Sequence, residues 1–272
     1  MDLTPRLVVL LPCFNEEQAL PLLLRQLEEQ KAILAPDWDL SVIVVDDGSS
    51  DNTAGIAESF SCGQLEDITR EAHGQVRCLF VEIVRHATNQ GLGAATSTGL
   101  RSFLDCTANE PEAVLGLMDA DATHPPALLG TMLAKLQAEQ LDVVIASRFA
   151  PGGGEHGLSV VRKLYSRLAG LAMRILAPIE GVQDYSCGYR VYRRSAIARA
   201  IAKFGDPLVT ERGFVCMVEL LVKLARSGTR MGEVGLDLHY ELKQGASKMD
   251  VAATIRRYAA FALRARFDKS LR

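Results

Sequence analysis

The stretch S-V-I-V-V-D-D-G-S-S-D-N-T, running from Ser41 to Thr53, sets the reading of the fold. Ser41–Val45 is a short, β-branched apolar run, the pattern of a strand covered on both faces. It breaks at Asp46-Asp47-Gly48, and Asn52–Ser59 then takes up helical spacing, with Ser50 or Asp51 placed to cap it. A strand, a polar turn and a helix make half of a parallel βαβ unit, and the same phrase recurs on either side. Leu7–Leu11 reads as a strand, followed by a helix over Glu16–Lys31 with Leu20, Leu23, Leu24 and Leu27 on one face. Leu79–Val84 and Val114–Met118 are strands followed by helices at Gly93–Leu104 and Ala127–Glu139, and Val143–Ala146 is a fifth strand. Such alternation predicts an α/β fold with a mostly parallel central sheet flanked by helices. In sheets of this kind, ligands bind beyond the carboxyl ends of the strands.

After Phe149 the texture changes. Pro151–Gly157 carries four glycines, and Val160–Leu176 and Val251–Phe267 read as basic amphipathic helices. Val209–Ser227 contains a further helix, Glu233–Tyr240 has the pattern of a late strand, and Gln244–Lys248 is a polar loop.

The strand ends are chemically loaded. Strand one runs into Pro12-Cys13-Phe14-Asn15-Glu16-Glu17, strand two into Asp46-Asp47, strand four into Asp119-Ala120-Asp121, and strand five into Ser147-Arg148-Phe149. On extended backbone the carboxylates of Asp119 and Asp121 point to one side. Two carboxylates that close repel unless a cation or a proton lies between them. Mg²⁺ and Mn²⁺ suit such a pair, since hard ions take one or two carboxylates together with substrate phosphate oxygens. The plainer alternative is an acidic turn capping the helix that Pro125-Pro126 begins. Asp46 and Asp47 are placed to hydrogen-bond the base or ribose of a nucleotide.

Composition narrows the field. With 272 residues, 48% hydrophobic and 23% charged, the chain can bury a full core. A net charge of −3 argues against a general nucleic-acid binder. The cysteines at 13, 62, 78, 106, 187 and 216 form no C-x-x-C pair and have no histidine cluster beside them, which argues against zinc and for a reducing cytosol. Leu7–Leu11 is too short for a signal peptide's apolar core. No apolar stretch approaches the ~18 residues that cross a bilayer. Gly91-Leu92-Gly93-Ala94-Ala95-Thr96 lacks the third glycine of a dinucleotide fingerprint and does not directly follow a strand, and there is no Walker A sequence.

Taken together, P-C-F-N-E, V-D-D-G-S-S-D-N-T, N-Q-G-L-G-A-A, M-D-A-D-A-T-H-P-P and S-R-F-A-P-G-G-G resemble family-2 inverting glycosyltransferases, within them the dolichyl-phosphate mannosyltransferase (polyprenyl-phosphate hexosyltransferase) branch. R-K-L-Y-S-R at 162–167, D-Y-S-C-G-Y-R at 184–190 and G-A-S-K at 245–248 continue the likeness. The resemblance implies a GT-A (Rossmann-like) fold as one continuous catalytic domain, with a nucleotide-sugar-binding half at 1–150. An acceptor-side half with the C-terminal helices would occupy 151–272. It implies a nucleotide-sugar donor (GDP-mannose or UDP-glucose), a polyprenyl or dolichyl phosphate acceptor, and Mg²⁺ or Mn²⁺. Pro12, Asn15, Glu16, Asp46 and Asp47 would line the nucleotide pocket, and Asp119 and Asp121 would hold the metal and the diphosphate. Arg148, Arg162 and Ser166 would hold the acceptor phosphate, and Lys248 lies in the loop expected to close over the site.

Three departures stand out. The branch's Arg three residues before the glycine of G-x-S-K is Leu242 here, with Lys243 beside it. Its aromatic-Gln pair is Cys216-Met217 ahead of Glu219, and its S-G-F-R is Cys187-Gly188-Tyr189-Arg190.

The chemistry is consistent with this expectation. A sugar-hydroxyl acceptor requires a general base, for which Asp184 and Glu219 are the candidates. A lipid monophosphate, with its second pKa of about 6, does not. Such an acceptor also implies a membrane surface. Arg162, Lys163 and Arg167 lie beside Leu164, Leu168, Leu171 and Ile175, and Arg256, Arg257, Arg264 and Arg266 are interspersed with Tyr258, Phe261 and Phe267. Either helix fits a membrane surface or a docked position on the core. The expected location is cytoplasmic, peripheral to the cytoplasmic membrane face, with room for a membrane-spanning partner subunit. Two rivals remain at this stage: a family-2 enzyme acting on a saccharide hydroxyl, and a non-catalytic nucleotide-sugar-binding subunit.

Overall fold

A computed structural model of the chain describes residues 4–35, 37–61, 79–157, 170–240 and 251–267. The five expected strands are present as β1 (Arg6–Cys13), β2 (Asp39–Asp46), β3 (Phe80–Arg85), β4 (Val114–Leu117) and β5 (Val143–Ser147). Between them lie α1 (Leu20–Leu34), α2 (Thr53–Phe60), α3 (Leu92–Cys106) and α4 (Leu128–Ala138). The second half adds β6 (Gly154–His156), β7 (Arg190–Arg193), α5 (Arg194–Phe204), α6 (Val215–Arg226), β8 (Met231–Gly235), β9 (Asp237–His239) and α7 (Val251–Phe267).

The main sheet has seven strands in the order β3-β2-β1-β4-β7-β5-β8. All pair in parallel except β7, which runs antiparallel to both β4 and β5. Strands from both halves of the chain therefore share one sheet. The helices α1, α2 and α4 cover one face, while α3, α5 and α6 pack against one another on the other, with α7 outside α6. Two-sided cover explains why β1, β2 and β5 are apolar along their length: Leu7 to Leu11, Val42 to Val45 and Val143 to Ala146 are all buried.

Two expectations need correction. The first helix starts at Leu20 rather than Glu16, because residues 17–19 form a turn. The Glu16 carbonyl accepts the N–H groups of both Ala19 and Leu20 in that turn. The stretch Glu233–Tyr240 is not one strand. The chain leaves the main sheet after Gly235, and Leu236 donates to the Ser147 carbonyl while accepting from Gly154 N–H. β9 then pairs with β6 in a separate two-stranded ribbon. The basic helix expected over Val160–Leu176 is helical at 170–176, and its earlier residues lie outside the described part of the chain. The 244–248 loop lies outside it too.

Because β7 runs against its neighbours, its first residue sits level with the carboxyl end of β4, Arg190 opposite Leu117. The segment entering it, 184–189, is thereby brought to the edge of the sheet where the loaded loops lie.

Candidate active site

Four loops meet at the carboxyl edge. Cys13 of β1, Asp46 of β2 and Arg85 of β3 are in register, and Met118 N–H donates to the Leu10 carbonyl just past the end of β4. Pro12 is tolerated in a central strand for a geometric reason. Two residues beyond Leu10, it turns the same edge toward β4, which has already ended, so its missing N–H forfeits no ladder bond.

The loops after β1 and β2 are laced together. Asn15, at φ 54° in the left-handed region that asparagine tolerates, donates its N–H to Ser49 Oγ at 2.9 Å. Its Oδ1 accepts from Ser50 N–H at 2.8 Å. Glu16 N–H donates to Thr53 Oγ1, and Glu17 accepts from Asn52 N–H. The helix cap expected of Ser50 or Asp51 is replaced by an N-cap at Asn52 that lacks a side-chain cap bond, while Asp51 Oδ1, one residue earlier, takes the Thr53 N–H and hydroxyl.

Asp46 and Asp47 are both buried, and they do different things. Asp46 accepts from Ser49 N–H at 3.0 Å and lies 3.5 Å from Arg85 Nε. Asp47 reaches across to the loop before α3. Its oxygens accept from Gln90 N–H at 2.9 Å and Gly91 N–H at 2.7 Å, a carboxylate at a helix N-terminus. His86 Nδ1 lies 2.7 Å from the same carboxylate and its Nε2 lies 2.9 Å from Thr98 Oγ1. An ionised carboxylate only accepts, so Nδ1 carries the proton toward Asp47. Asp47 thus holds the N-Q-G-L-G loop in place.

The Asp119–Asp121 segment is bent rather than extended, with Ala122 at φ 60°, so strand alternation does not govern where these carboxylates point. Asp121 is buried, and its Oδ1 accepts from Thr123 N–H and Oγ1 at 3.2 and 2.6 Å. It does not cap α4, whose N-cap is Ala127 and lacks a side-chain cap bond. The Asp119 side chain is 36% exposed. Its backbone N–H donates to His124 Nδ1 at 3.1 Å, which leaves Nε2 facing the Asp119 carboxylate at 3.9 Å. His124 stacks on Tyr189, whose hydroxyl donates to the Pro125 carbonyl. Gly188 lies against Asp119: a Cβ there would sit 3.0 Å from Oδ1. The Cys-Gly-Tyr-Arg segment thereby borders the acidic pair.

Arg148 lies at the end of β5 with a buried side chain. It forms a two-pronged pair with Asp184, Nε to Oδ2 at 2.7 Å and Nη2 to Oδ1 at 2.8 Å. Nη2 also donates to Ser186 Oγ at 2.6 Å, and Nη1 lies 3.7 Å from Glu155. A phosphate would have to displace Asp184 to reach Nε or Nη2. Burial opposes ionisation of Asp184, but the charge and hydrogen bonds of Arg148 win and hold the carboxyl below the usual range. Arg148 is pushed the other way, since Asp184 outweighs the cost of burying its charge. Asp184 also accepts from the N–H groups of Ser186 and Cys187.

Glu219 is equally committed. It takes Thr210 N–H and Oγ1, Glu211 N–H and Lys223 Nζ, all within 2.8 Å. Arg190 is wholly buried, donating to the Met217 and Tyr185 carbonyls at 2.7 and 2.8 Å. Burial raises the Cys187 and Cys216 thiols to about 12, so both stay neutral core groups rather than nucleophiles. Arg162, Ser166 and Lys248 lie outside the described residues, as do Leu242 and Lys243.

Of the expected site residues, the fold brings Pro12, Asn15, Glu16, Asp46, Asp47, Asp119, Asp121 and Arg148 to one edge of the sheet. Sequence reading missed His124, His86, Ser186 and Gly188. His124, Ser186 and Gly188 lie inside the quoted motifs and His86 just before one, yet each acts through a partner that only the fold supplies.

The pattern that defines Glycosyl transferase family 2 matches residues 8–200. The chain is 28% identical over 270 residues to polyprenol monophosphomannose synthase of Mycolicibacterium smegmatis, covering 98% of this chain and 91% of that protein. It is 31% identical over 244 residues to undecaprenyl-phosphate mannosyltransferase of Micrococcus luteus, covering 90% and 87%. Among solved structures, glucosyl-3-phosphoglycerate synthase from Mycobacterium tuberculosis, in complex with Mn²⁺, UDP and glucosyl-3-phosphoglycerate, superposes with a TM-score of 0.64 at 18% identity. That superposition covers 96% of this chain and 80% of the other, and the likeness is one of fold.

Proposed function

The chain belongs to glycosyl transferase family 2, with the GT-A type of fold, and from that premise we propose that it transfers a hexose from a nucleotide-sugar to a polyprenyl phosphate. Mannose, from GDP-mannose, is the proposed sugar, following the mannose-transferring relatives of Mycolicibacterium smegmatis and Micrococcus luteus, whose similarity spans nearly the whole chain. UDP-glucose is the second choice of donor.

The observation that carries the phosphate acceptor is the condition of Asp184 and Glu219. A hydroxyl acceptor needs a general base, and both carboxylates named for that task are saturated by internal donors. A phosphate monoester arrives already charged and needs only to be held and oriented. In this reading Arg162 and Ser166 hold it, Lys248 closes over it, and Arg148 is a positioning residue that fixes the 184–187 turn. Pro12, Asn15, Glu16 and Asp46 line the nucleotide pocket, and Asp47 fixes the loop beside it.

Asp119 and Asp121 offer hard oxygen donors at a strand end, a set that fits Mg²⁺ or Mn²⁺. When bound there, such an ion supplies Lewis-acid neutralisation of the leaving diphosphate. Incubating the protein with nucleotide-sugars, a short polyprenyl phosphate and Mn²⁺ should yield lipid-linked hexose, with no product from free sugar acceptors. Transfer to a sugar hydroxyl would overturn the reading, and so would donor binding with neither transfer nor hydrolysis.

We also propose that the protein rests on the membrane that holds its acceptor. The alternatives left open for the last helix are now distinguishable by face: Tyr258, Phe261, Ala262 and Ala265 are buried on the body of the protein. Its outer side leaves Leu263 and Phe267 exposed with Arg256, Arg257 and Arg266 around them, while Arg264 pairs with Glu211. Leu176 to Ile179 line one groove together with Ala265 and Arg266, and Leu171 and Ile175 just before them are exposed. Among the described residues no helix is long and apolar enough to cross a membrane. Each basic residue near an anionic leaflet adds about 1 kcal/mol. Flotation with anionic vesicles should show salt-sensitive binding, weakened about tenfold by Phe267→Asp, in line with the loss of one buried aromatic side chain. No association at any salt concentration would count against the proposal.

A further inference from the structure

The β6–β9 ribbon brings together three side chains that the transfer reaction does not use. His156 and His239 are opposite one another in register, and Asp237 lies two residues before His239, on the same face. The two imidazoles stack at 4.5 Å between centroids, 14° from parallel. Their Nε2 atoms converge on a single carboxylate: His156 Nε2 is 2.7 Å from Asp237 Oδ1, and His239 Nε2 is 3.2 Å from Asp237 Oδ2. All three ligand atoms lie within 4.8 Å of one another. Gly154, opposite Asp237, leaves the carboxylate its space, since a Cβ there would stand 2.5 Å from Oδ1 and 3.3 Å from His156 Nε2.

We propose that His156, Asp237 and His239 form a second metal site, selective for a borderline transition ion such as Zn²⁺ and separate from the acidic pair Asp119 and Asp121. Two imidazoles and a carboxylate match zinc rather than magnesium, which takes oxygen ligands. A tetrahedral Zn²⁺ with bonds of about 2.0–2.2 Å sets its ligand atoms about 3.3 Å apart, so the His156–Asp237 edge opens by about 0.6 Å, the His239–Asp237 edge hardly moves, and the stacked rings turn until both Nε2 lone pairs converge on the ion. Three protein ligands leave a fourth position for water or an anion. The sequence argued against zinc because it has no local histidine cluster; His156 and Asp237 are 81 residues apart and meet only through the ribbon.

The location gives the site a purpose. His156 lies two residues before the segment 158–169, which carries Arg162 and Ser166, and His239 two residues before 241–250, which carries Lys248. An ion across the ribbon ties the starting points of both segments together.

Equilibrium dialysis against Zn²⁺ tests this in the Asp119→Asn/Asp121→Asn background, which removes the acidic pair as a competing site. One equivalent of Zn²⁺ per chain is expected, with affinity reduced at least tenfold by His156→Ala and by His239→Ala. His156→Gln, which keeps a polar partner for Asp237, should lose binding equally. An unchanged far-ultraviolet circular dichroism spectrum and melting temperature in the Gln variant establish that the loss is of a ligand and not of the fold. Failure to take up one equivalent, or uptake that survives both histidine substitutions, overturns the proposal.

Discussion

Asp119→Asn and Asp121→Asn should each lower kcat/KM for lipid-linked product by about a thousandfold or more, with melting temperatures close to that of the parent. The size follows from charge. A bound divalent ion contributes several kcal/mol of stabilisation to a leaving diphosphate, and each 1.36 kcal/mol is a factor of about ten. Asparagine keeps the shape of the side chain and a carbonyl oxygen but forfeits the negative charge that attracts the ion. In Asp121→Asn that oxygen still accepts from Thr123 N–H and Oγ1, so the bend at Ala122 is retained. The kinetic loss should be accompanied by loss of Mn²⁺-dependent donor binding, measured by calorimetry. Near-normal turnover in either variant would remove the acidic pair from the chemistry.

The second large effect is on stability. Asp184→Leu should cost about 3–5 kcal/mol, because it removes the two-pronged carboxylate partner of the buried Arg148 guanidinium and leaves only Glu155, at 3.7 Å, beside it. For a chain of this size 1 kcal/mol corresponds to about 2–4 °C, so the melting temperature should fall by roughly 10 °C. Arg148→Met combined with Asp184→Leu should regain only part of that loss, since the apolar pair has no charge to desolvate but takes the Arg148 cation away from buried Glu155, 3.7 Å from Nη1. The pair also sets a pH dependence. The folded-state pKa of Asp184 lies below its unfolded value, so its stabilisation is complete above about pH 4. It is lost as pH falls through the folded-state pKa. The double variant should therefore show a shallower decline of melting temperature on acidification. A single Asp184→Leu variant that melts within a degree or two of the parent would refute this account.

Much of this architecture was legible because parallel strands covered on both faces must be apolar end to end. Five such runs, each followed by helical spacing, gave the first five strands in order. β7 escaped because Arg190-Val191-Tyr192-Arg193 reads as polar, yet Arg190 and Tyr192 are wholly buried. A buried arginine is tolerated here in part because carbonyls 5 and 27 residues away receive its Nη2 and Nη1 donors, a circumstance no local pattern reports. The split of 233–240 was hidden for a similar reason, since what ends β8 is a contact with the 147–154 turn.

The site was legible as a place more than as a set of roles. The strand-end rule collected Asp46, Asp47, Asp119, Asp121 and Arg148 at one edge. It could not say that Asp47 would bond to backbone 43 and 44 residues away, or that Arg148 would be held by a carboxylate 36 residues on. Motif reading assigns such residues to a ligand because the ligand is the nearest partner that sequence suggests.

The reversed strand β7 also bears on how the chain is made. As the polypeptide leaves the ribosome, β1 to β4 can pair as soon as they emerge, whereas β5 has no neighbour until β7 follows, with β8 later still. The run Val143–Ser147 must wait for about 46 further residues, roughly 2–10 s at 5–20 residues per second. Throughout that interval both edges of an apolar strand are open to other chains. The β7-β5-β8 side of the finished sheet is therefore the last part of it to be protected during synthesis.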